Sequence, residues 1–530
     1  MTTQPPALSL ATALETIARW GFADLQSVVA IDSASDETSA TIPSTQGQRN
    51  LSSSLAAHFQ ALGFSSEQDD AANLIVRVPA TKGHERAPII ALMVHMDTAH
   101  GTAPLAHLHV LPRWDGGRVP YPKNQRLHVD AETYPLLRAF IGDDLVHGDG
   151  DLPFGLDDKL GMAELMTLGR VLAAEPSLPH GELLLVFRPD EEIGRMAAVE
   201  GLAAVLAQRG VKFGYTVDGL DPFEINIENF DAARARIRIE GRALALPPGA
   251  QRRLRVDVTG VNTHGATAKS EGYLNSTMVF ARALRGLSGV VPLSFHSDGL
   301  LECNATIDVL LSAAHEGALD DVERATRTAF ERETETASKR GAGVTCTRVA
   351  ASEAALLDDA AVRMLGLLDE LLSRPGPVPL LAEHSGGREG YTNPHRGLRE
   401  GSSLVVDVRL RDFSPEALAA RARHVEACAS ACGLIAEVVQ QYVNMGPSLA
   451  KFADVPRFAE DAAHAAGFVP VRQPIRGGTG VDPFLTRGIP VANVGTGYFA
   501  PESEKELTSK QNIARHVVWL AHLVARIAKE

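Results

Sequence analysis

The chain has few cysteines, no long apolar run and no excess of basic residues. Its 530 residues include only four cysteines and no apolar run of about 18 residues, so neither a disulfide framework nor a transmembrane helix is predicted. Lys and Arg total 51 against 65 Asp and Glu, and the resulting net charge of −14 argues against a basic face for nucleic acid. Residues 1–9 have no basic segment ahead of an apolar run. We therefore expect a cytoplasmic protein that binds neither nucleic acid nor membrane.

Three predicted strands are followed by residues that can bind metals or exchange protons. Residues 88–94 form a continuous apolar run, which is typical of a strand buried on both faces of a sheet. Open α/β sheets keep their sites at the carboxyl ends of such strands. The strands 88–94, 182–187 and 215–217 are followed respectively by His95 and Asp97, by Glu191 and Glu192, and by Asp218.

Residues 155–161, with the sequence GLDDKLG, combine two adjacent carboxylates and a lysine between glycines, which suits a site better than a core. We predict that Asp157 bridges two divalent ions, which in such sites lie about 3.5 to 4 Å apart. His95, Glu192 and Asp218 supply the imidazole and carboxylate groups that would complete the two coordination shells.

Two further acids are assigned supporting roles. Asp97 follows His95 by two residues, on the same side of its strand, so its carboxylate could accept the ring N–H and fix the tautomer. Glu191 is placed to take a proton from metal-bound water and to pass it to a leaving amine. Each motif alone has a plainer interpretation, as a hydrogen-bonded surface pair, a helix start or a solvated acidic cap. Their common position at strand ends favours the joint interpretation.

Five motifs follow one another along the chain, at residues 94–98, 155–161, 189–194, 215–219 with 228–232, and 476–479. Together they resemble peptidase T, a tripeptide aminopeptidase in the superfamily of two-metal aminopeptidases, aminoacylases and carboxypeptidases. The resemblance extends over nearly the whole chain apart from insertions. It implies two divalent ions, zinc foremost, with Asp157 as the bridge and Glu191 as the general base. It also implies His95 and Asp218 on one ion and Glu192 on the other.

The resemblance also implies residues that contact the substrate. His264 matches a histidine of the family's lid domain that polarises the scissile carbonyl, although Gly265 stands where the family has proline. Arg411 matches the arginine that binds the substrate carboxylate, a task suited to a guanidinium fork. Arg476 and Gly478 are further candidates for substrate binding, and an ordinary surface ion pair is the alternative for Arg476.

The chain departs from the family at two places. Where the family has a histidine ligand, the ungapped sequence has Glu502, so that one ion would have only oxygen ligands. Because carboxylate-rich sites suit harder ions, Mn, Co or Mg should then compete better with Zn. The alternative is that Glu502 faces solvent and the second ion is lost. The family also has an acid directly after the threonine equivalent to Thr479, whereas here the nearest acid is Asp482, which leaves amino-end specificity open.

We predict an α/β protein with a central mixed sheet flanked by helices and an inserted, duplicated α+β lid. The catalytic domain comprises residues 1–230 and 444–530, and the lid domain residues 231–443. Within the lid, an inner β-α-β-α-β copy at about 252–350 is nested in an outer copy, and the clearest repeat aligns 306–311 with 405–410. This is similar to the doubled lid of monomeric dipeptidases such as peptidase V. We therefore expect a monomer, with a homodimer as the alternative.

These observations predict a metallopeptidase that hydrolyses the amide bonds of short peptides. Two alternatives remain at this stage. The first is an amidohydrolase that acts on N-acyl amino acids. The second is a metal-poor, catalytically impaired protein that binds peptides.

Overall fold

The computed structural model describes residues 10–244, 252–261, 274–297, 303–311, 317–333, 343–349, 358–377 and 388–530. His264, for which the sequence predicts a catalytic role, lies outside these residues. The chain divides into two compact units. The first comprises Met1–Glu228, Met445–Ile475 and Thr479–Glu530, and the second comprises Asn229–Asn444 and Arg476–Gly478.

The first unit consists of helices packed around a sheet. Its helices are Leu10–Val29, Gln46–Ala61, Leu156–Ala174, Ala197–Gln208, Gly446–Leu449, Asp454–Ala465, Asp482–Thr486 and Lys510–Ile527, with a 3-10 helix at Pro135–Phe140. Its strands are Ser65–Gln68, Leu74–Val78, Ile90–His95, His109–Leu111, Leu145–His147, Leu183–Arg188, Phe213–Gly219, Glu224–Asn226, Val471–Arg472, Val491–Gly495 and Leu507–Ser509.

Four parallel strands lie at the centre of the eight-stranded mixed sheet. Ile90–His95 pairs in parallel with Leu183–Arg188 on one side and with Phe213–Gly219 on the other, and Phe213–Gly219 pairs in parallel with Val491–Gly495. Every residue of Ile90–His95 is buried, as its continuous apolar run predicts, and every residue of Leu183–Arg188 is buried as well. Because the strands are parallel, the residues that follow them gather at one edge of the sheet.

The first unit also contains a small second sheet with its own core. Leu507–Ser509, Leu145–His147 and His109–Leu111 form a three-stranded antiparallel sheet. Beside it a small separate core includes Trp114 and Tyr121.

In the described part of the chain, no helix combines the length and apolarity that a membrane span requires. The cytoplasmic location stays a prediction.

The second unit is a single antiparallel sheet with helices on one face. Its helices are Ser276–Leu284, Ala318–Glu333, Ala360–Ser373 and Pro415–Ala431. Its strands are Asp231–Glu240, Arg252–Val261, Val290–Ser297, Cys303–Leu311, Gly343–Val349, Tyr391–Glu400, Ser403–Asp412 and Ala436–Tyr442.

The two halves of this sheet repeat one topology. In each half, with strands numbered along the chain, the order from the outer edge to the middle of the sheet is fourth, first, third, second. The halves meet at the second strand of each, where Ser297 pairs with Gly397. One half is therefore inserted between the first and second strands of the other.

Each half has one strand more than the predicted β-α-β-α-β pattern. The added strands are Val290–Ser297 and Tyr391–Glu400, which meet at the middle of the sheet. Both contain a proline, Pro292 and Pro394, and the strand register shifts at both. Proline has no N–H to donate to a neighbouring strand, so a segment that contains it is not predicted as a strand from sequence. Within a sheet, proline is accommodated at edges and at bulges.

Candidate metal centre

The chain segments at the carboxyl ends of the four parallel strands carry the polar side chains of the site. His95 is the last residue of its strand and Asp218 lies near the end of another. Glu191 and Glu192 follow Leu183–Arg188, and Tyr498 follows Val491–Gly495. The sequence identifies the first three of these strand ends, whereas the fourth contributes a tyrosine that it does not single out.

The turn that opens the helix Leu156–Ala174 presents Asp157. Gly155 has a φ of 85°, and a Cβ there would lie 2.6 Å from the Thr98 side chain, so this position requires glycine. A carboxylate oxygen of Glu506 accepts the main-chain N–H groups of Phe154 and Gly155 at 2.9 and 2.8 Å. Asp157 itself has non-helical dihedral angles. The turn is thus held by main-chain contacts in which the Asp157 carboxylate takes no part. That carboxylate accepts the Tyr498 hydroxyl at 3.0 Å and lies 2.9 Å from His95 Nε2.

The two residues after Asp157 are buried, contrary to the argument that such residues suit a core poorly. Asp158 and Lys159 are each only 1% exposed. The Lys159 ammonium donates to the Ile31 carbonyl at 2.7 Å, and burial lowers its pKa to about 8. One hydrogen bond to a carbonyl therefore accommodates this lysine below the turn.

His95 lies among three carboxylates. Its Nε2 is 2.9 Å from Asp157 Oδ1 and 3.5 Å from Asp218 Oδ1. Burial opposes the charged imidazolium, but Asp218, Asp157 and Asp97 raise the pKa of His95 well above its usual value. Burial also raises the pKa of Asp218, to about 7. A divalent cation would reverse both tendencies, because it favours ionised carboxylates and neutral imidazole.

Two groups of three side chains bring potential ligand atoms within 4.8 Å of one another. The first group is His95, Asp157 and Glu192, and the second is His95, Asp158 and Asp218. In the second group the Asp158 carboxylate already accepts the main-chain N–H groups of His95 at 3.1 Å and Gly161 at 3.2 Å. The partners of Asp158 are thus main-chain groups, whereas the Asp157 carboxylate contacts the side chains of His95 and Tyr498 and is 21% exposed. The donor set therefore fits divalent metals better with Asp157 than with Asp158 as ligand.

Glu192 and Glu502 influence each other electrostatically. Burial raises the pKa of Glu192 well above its usual value, and the negative charges of Glu502 and Asp157 raise it further. Glu502 has a φ of 54°, and its main-chain N–H donates to the second oxygen of Glu506 at 3.2 Å. Glu506 thus contacts both the Asp157 turn and the Glu502 segment. Neither metal group within 4.8 Å includes Glu502.

Asp97 contacts more than the sequence argument foresees. The His95 Nδ1 is 2.9 Å from the main-chain oxygen of Asp97 and 3.5 Å from its carboxylate. The two carboxylate oxygens accept the N–H groups of Glu191 and Glu192 at 2.9 and 3.0 Å. The carbonyl of Asp97 thus fixes the imidazole, and its carboxylate positions the two glutamates.

Glu191 faces a buried arginine that sequence reasoning missed. Arg188 is 1% exposed, and its guanidinium donates to the carbonyls of Thr479 and Gly480 at 2.7 and 3.1 Å. The nearest Glu191 oxygen is 3.9 Å from the same guanidinium. Gly480 has a φ of 56°, and a Cβ there would lie 2.1 Å from Arg188 Nη1 and 3.0 Å from that oxygen, so this position requires glycine.

Asp190 holds the segment that carries both glutamates. It has a φ of 55° and is buried. Its carboxylate accepts the Ser44 hydroxyl at 2.5 Å and the Gln48 side-chain amide at 2.7 Å. The Gln48 carbonyl accepts the Asp190 N–H at 3.0 Å. In the sequence, the only sign of this role is that Asp190 directly precedes two predicted site residues. That position does not identify Ser44 and Gln48 as its partners.

The predicted substrate-binding residues of the second unit lie near aromatic rings. The Arg411 guanidinium is 5.2 Å from the centre of the Tyr442 ring, and one of its nitrogens donates to the Ala233 and Leu410 carbonyls. The Arg476 guanidinium is 5.3 Å from the centre of the Phe230 ring. Gly478 packs against the ring of Tyr442. Both arginines are less than 10% exposed.

Comparisons with known proteins give similarities in sequence and in fold. No protein-family model matches the chain. Peptidase T of Geobacillus thermodenitrificans is 34% identical over 215 residues, which are 40% of this chain and 51% of that protein. A crystal structure of the aminopeptidase PepT from Bacillus cereus aligns over 96% of this chain and 99% of that one, with a TM-score of 0.53 and 18% identity. An aminoacylhistidine dipeptidase from Vibrio alginolyticus aligns over 98% of both chains, with a TM-score of 0.54 and 16% identity.

The two kinds of similarity differ in extent. By sequence, the chain spans about half the length of the curated relatives it matches, which is less than the motifs suggested. By fold, the similarity covers nearly the whole chain, but the sequence identities of these structures are low, so the similarity concerns the fold alone. The chain is therefore similar to peptidase T in sequence over about 40% of its length, and it shares the fold of the aminopeptidase structure over almost all of it.

Proposed function

We propose that this chain is a metal-dependent hydrolase that cleaves the amide bonds of short peptides. The observation that carries the proposal is the convergence of His95, Glu192 and Asp218, at the ends of parallel strands, with Asp157 at the start of a helix. Glu191 lies beside them. Imidazole and carboxylates at this spacing are what a pair of divalent ions requires. The similarity to peptidase T supports peptides as the substrates.

Two divalent ions would share the site through Asp157. His95 and Asp218 would complete the coordination of one ion, and Glu192 with Glu502 that of the other. Zinc is the first candidate, and manganese or cobalt is the alternative that Glu502 favours. When bound, such ions polarise a carbonyl and make water easier to deprotonate.

The remaining chemistry falls to residues of this chain. Glu191 would accept the proton of the attacking water and deliver it to the leaving nitrogen. The Asp97 carboxylate orients Glu191 by binding its N–H. The Arg188 guanidinium lies 3.9 Å from the Glu191 carboxylate and would help to hold it in position. By the resemblance, Arg411, Arg476 and Gly478 would bind the substrate, and His264 would polarise the scissile carbonyl.

The proposal is tested by turnover and metal content together. The full chain would be freed of metal, reconstituted with Zn, Mn or Co, and assayed with trialanine and with N-acetylalanine. We expect two ions per chain and cleavage of the tripeptide with release of its amino-terminal residue. Cleavage of N-acetylalanine alone would favour an amidohydrolase. Two bound ions without any turnover would overturn the proposal.

Replacing Glu502 by histidine should change the metal preference. The substitution exchanges an oxygen ligand for a nitrogen ligand, and imidazole suits zinc better than carboxylate does. We expect the ratio of zinc to manganese, measured by elemental analysis after competition, to rise by about tenfold, the change that a 1.4 kcal/mol difference produces. Glu504→Gln is the matched control, since Glu504 pairs with Lys505 in the same loop. An unchanged ratio in Glu502→His would show that Glu502 is not a ligand.

We also propose that the protein is a monomer. The two halves of the second-unit sheet share one topology and meet within one chain, at Ser297 and Gly397. By the resemblance, this arrangement substitutes for the pairing of two lids in dimeric relatives. Light scattering should give the mass of a single chain at all concentrations tested. A stable dimer would contradict the proposal.

A further inference from the structure

One face of the second-unit sheet carries a group of arginines that the proposed hydrolysis does not use. Arg234, Arg396 and Arg409, here called the arginine cluster, lie on three neighbouring strands. Residues on either side of Arg409, Val408 and Leu410, belong to the core formed with the helices. Because side chains alternate along a strand, Arg409 projects from the opposite face, away from the helices.

The strand register brings the cluster together. Arg409 is directly opposite Arg234 on one neighbouring strand and opposite Asn393 on the other. Arg396 is directly opposite Asp407. Residues paired in this way have Cβ atoms about 4.5 to 5.5 Å apart, and like charges so placed repel. Asp407 accepts two hydrogen bonds from Arg234, at 3.0 and 2.7 Å.

His395 adds a buried polar group to the cluster. It lies at the register shift between Pro394 and Arg396, where a bulge redirects the side chain. The residue is 7% exposed, and its buried Nδ1 makes no hydrogen bond to any described residue. Burial first, and then the nearby positive charges of the arginines, lower the pKa of His395 well below its usual value. The site therefore combines positive potential with a nitrogen that lacks a partner.

The cluster adjoins the arginine that the resemblance assigns to carboxylate binding. Arg411 follows Arg409 by two residues on the same strand and therefore shares its face, about 6.6 Å further along at 3.3 Å per residue. A ligand held at Arg411 by one carboxylate would thus extend a neighbouring acidic group towards the cluster. The chain as a whole has a net charge of −14, so this positive face is a local feature.

We propose that the arginine cluster and His395 form a subsite for a second acidic group of the substrate, next to the α-carboxylate that Arg411 binds. The preferred substrates are then short peptides with an aspartate or glutamate at the carboxyl terminus. The inference rests on the proposed function, since it takes Arg411 as the residue that holds the α-carboxylate.

Two peptides of equal size test the subsite. The kcat/KM of the metal-reconstituted full chain would be measured for Ala-Ala-Glu and Ala-Ala-Gln, at low and at high salt. We expect Ala-Ala-Glu to be preferred by about tenfold, as for one added charge-assisted contact, with the preference falling as salt rises. Arg409→Gln should lower kcat/KM for Ala-Ala-Glu far more than for Ala-Ala-Gln and so bring the ratio close to one. A ratio of one in the unaltered protein would overturn the inference.

Arg238→Gln is the matched control. Arg238 lies four residues from Arg234 on the same strand and pairs with Glu400 at 2.7 Å, outside the cluster. The preference for Ala-Ala-Glu should persist in this variant. If Arg238→Gln lowers the preference as much as Arg409→Gln does, the effect is one of general charge and the subsite is wrong.

Binding measurements separate this inference from the proposed function. Calorimetry on the Glu191→Gln variant would compare both peptides with inorganic phosphate. Tighter binding of Ala-Ala-Glu, combined with no turnover of either peptide by the unaltered protein, would sustain the subsite and overturn the hydrolase. Phosphate binding that Arg409→Gln abolishes, without discrimination between the peptides, would assign the cluster to a free anion and overturn the subsite.

Discussion

Replacing Glu191 by glutamine is expected to lower kcat for tripeptide hydrolysis by about 10²- to 10⁴-fold, the contribution typical of a general base. Glutamine has nearly the same shape but cannot accept a proton at neutral pH. The Glu191 N–H would still donate to Asp97 at 2.9 Å, so the segment should keep its position. Both metal ions should remain bound, because Glu191 belongs to neither group of potential ligands. Steady-state kinetics and elemental analysis of the same preparation check the prediction.

Glu192→Gln is the informative companion of this variant. Glu192 is the adjacent residue, its N–H binds the other oxygen of Asp97, and it belongs to a potential metal group. We expect Glu192→Gln to lose activity together with one metal ion, and Glu191→Gln to lose activity alone. Loss of metal in Glu191→Gln, or full activity in that variant, would contradict the role of Glu191 as base.

Replacing Asp157 by asparagine is expected to remove activity by weakening both metals at once. A bridging carboxylate contributes an oxygen to each ion, and the amide that replaces it has no negative charge and only one oxygen. Even residues that merely orient a ligand change metal affinity by about 10- to 100-fold, so loss of a shared ligand should exceed that. Equilibrium dialysis followed by elemental analysis should give fewer than two ions per chain at metal concentrations that saturate the unaltered protein.

Asp158→Asn decides which of the two adjacent aspartates binds metal. The Asp158 carboxylate is buried and accepts two main-chain N–H groups. Its replacement should therefore lower the thermal unfolding temperature more than that of Asp157, whose carboxylate is partly exposed. Two ions retained in Asp157→Asn, and metal lost in Asp158→Asn, would reverse the assignment. Circular dichroism spectra would establish that both variants are folded before metal is measured.

Local patterns in the sequence predict the central strands well. The buried strands Ile90–His95 and Leu183–Arg188 begin one or two residues after the predicted strands 88–94 and 182–187, and end one residue after them. The first could be predicted because a strand buried on both faces of a sheet is continuously apolar. The same patterns miss Val290–Ser297 and Tyr391–Glu400, which contain proline and polar residues. Those strands form through pairing with partners distant in the chain, and local propensity does not record such pairing.

The sequence by itself determined which chemical groups the site could contain. His95, Asp157, Glu191, Glu192 and Asp218 stand beside strand and turn signals, and their side chains are of the types that bind metals and move protons. The duplication in the second unit could also be predicted in part, because its repeated strands have similar sequence patterns. Residue types and strand or turn patterns depend on neighbours within a few positions of the chain, and a single sequence contains that information.

Only the tertiary structure decided how those groups are held. Ser44 and Gln48 bind Asp190 across about 140 residues, and Glu506 binds the main chain before Asp157 across about 350. The Asp97 carboxylate binds two backbone N–H groups, and Asp158 is buried beneath the turn. Register likewise placed Arg234 opposite Arg409. Each contact joins segments far apart in the chain, and its partner follows from the path of the backbone, which residue type does not specify.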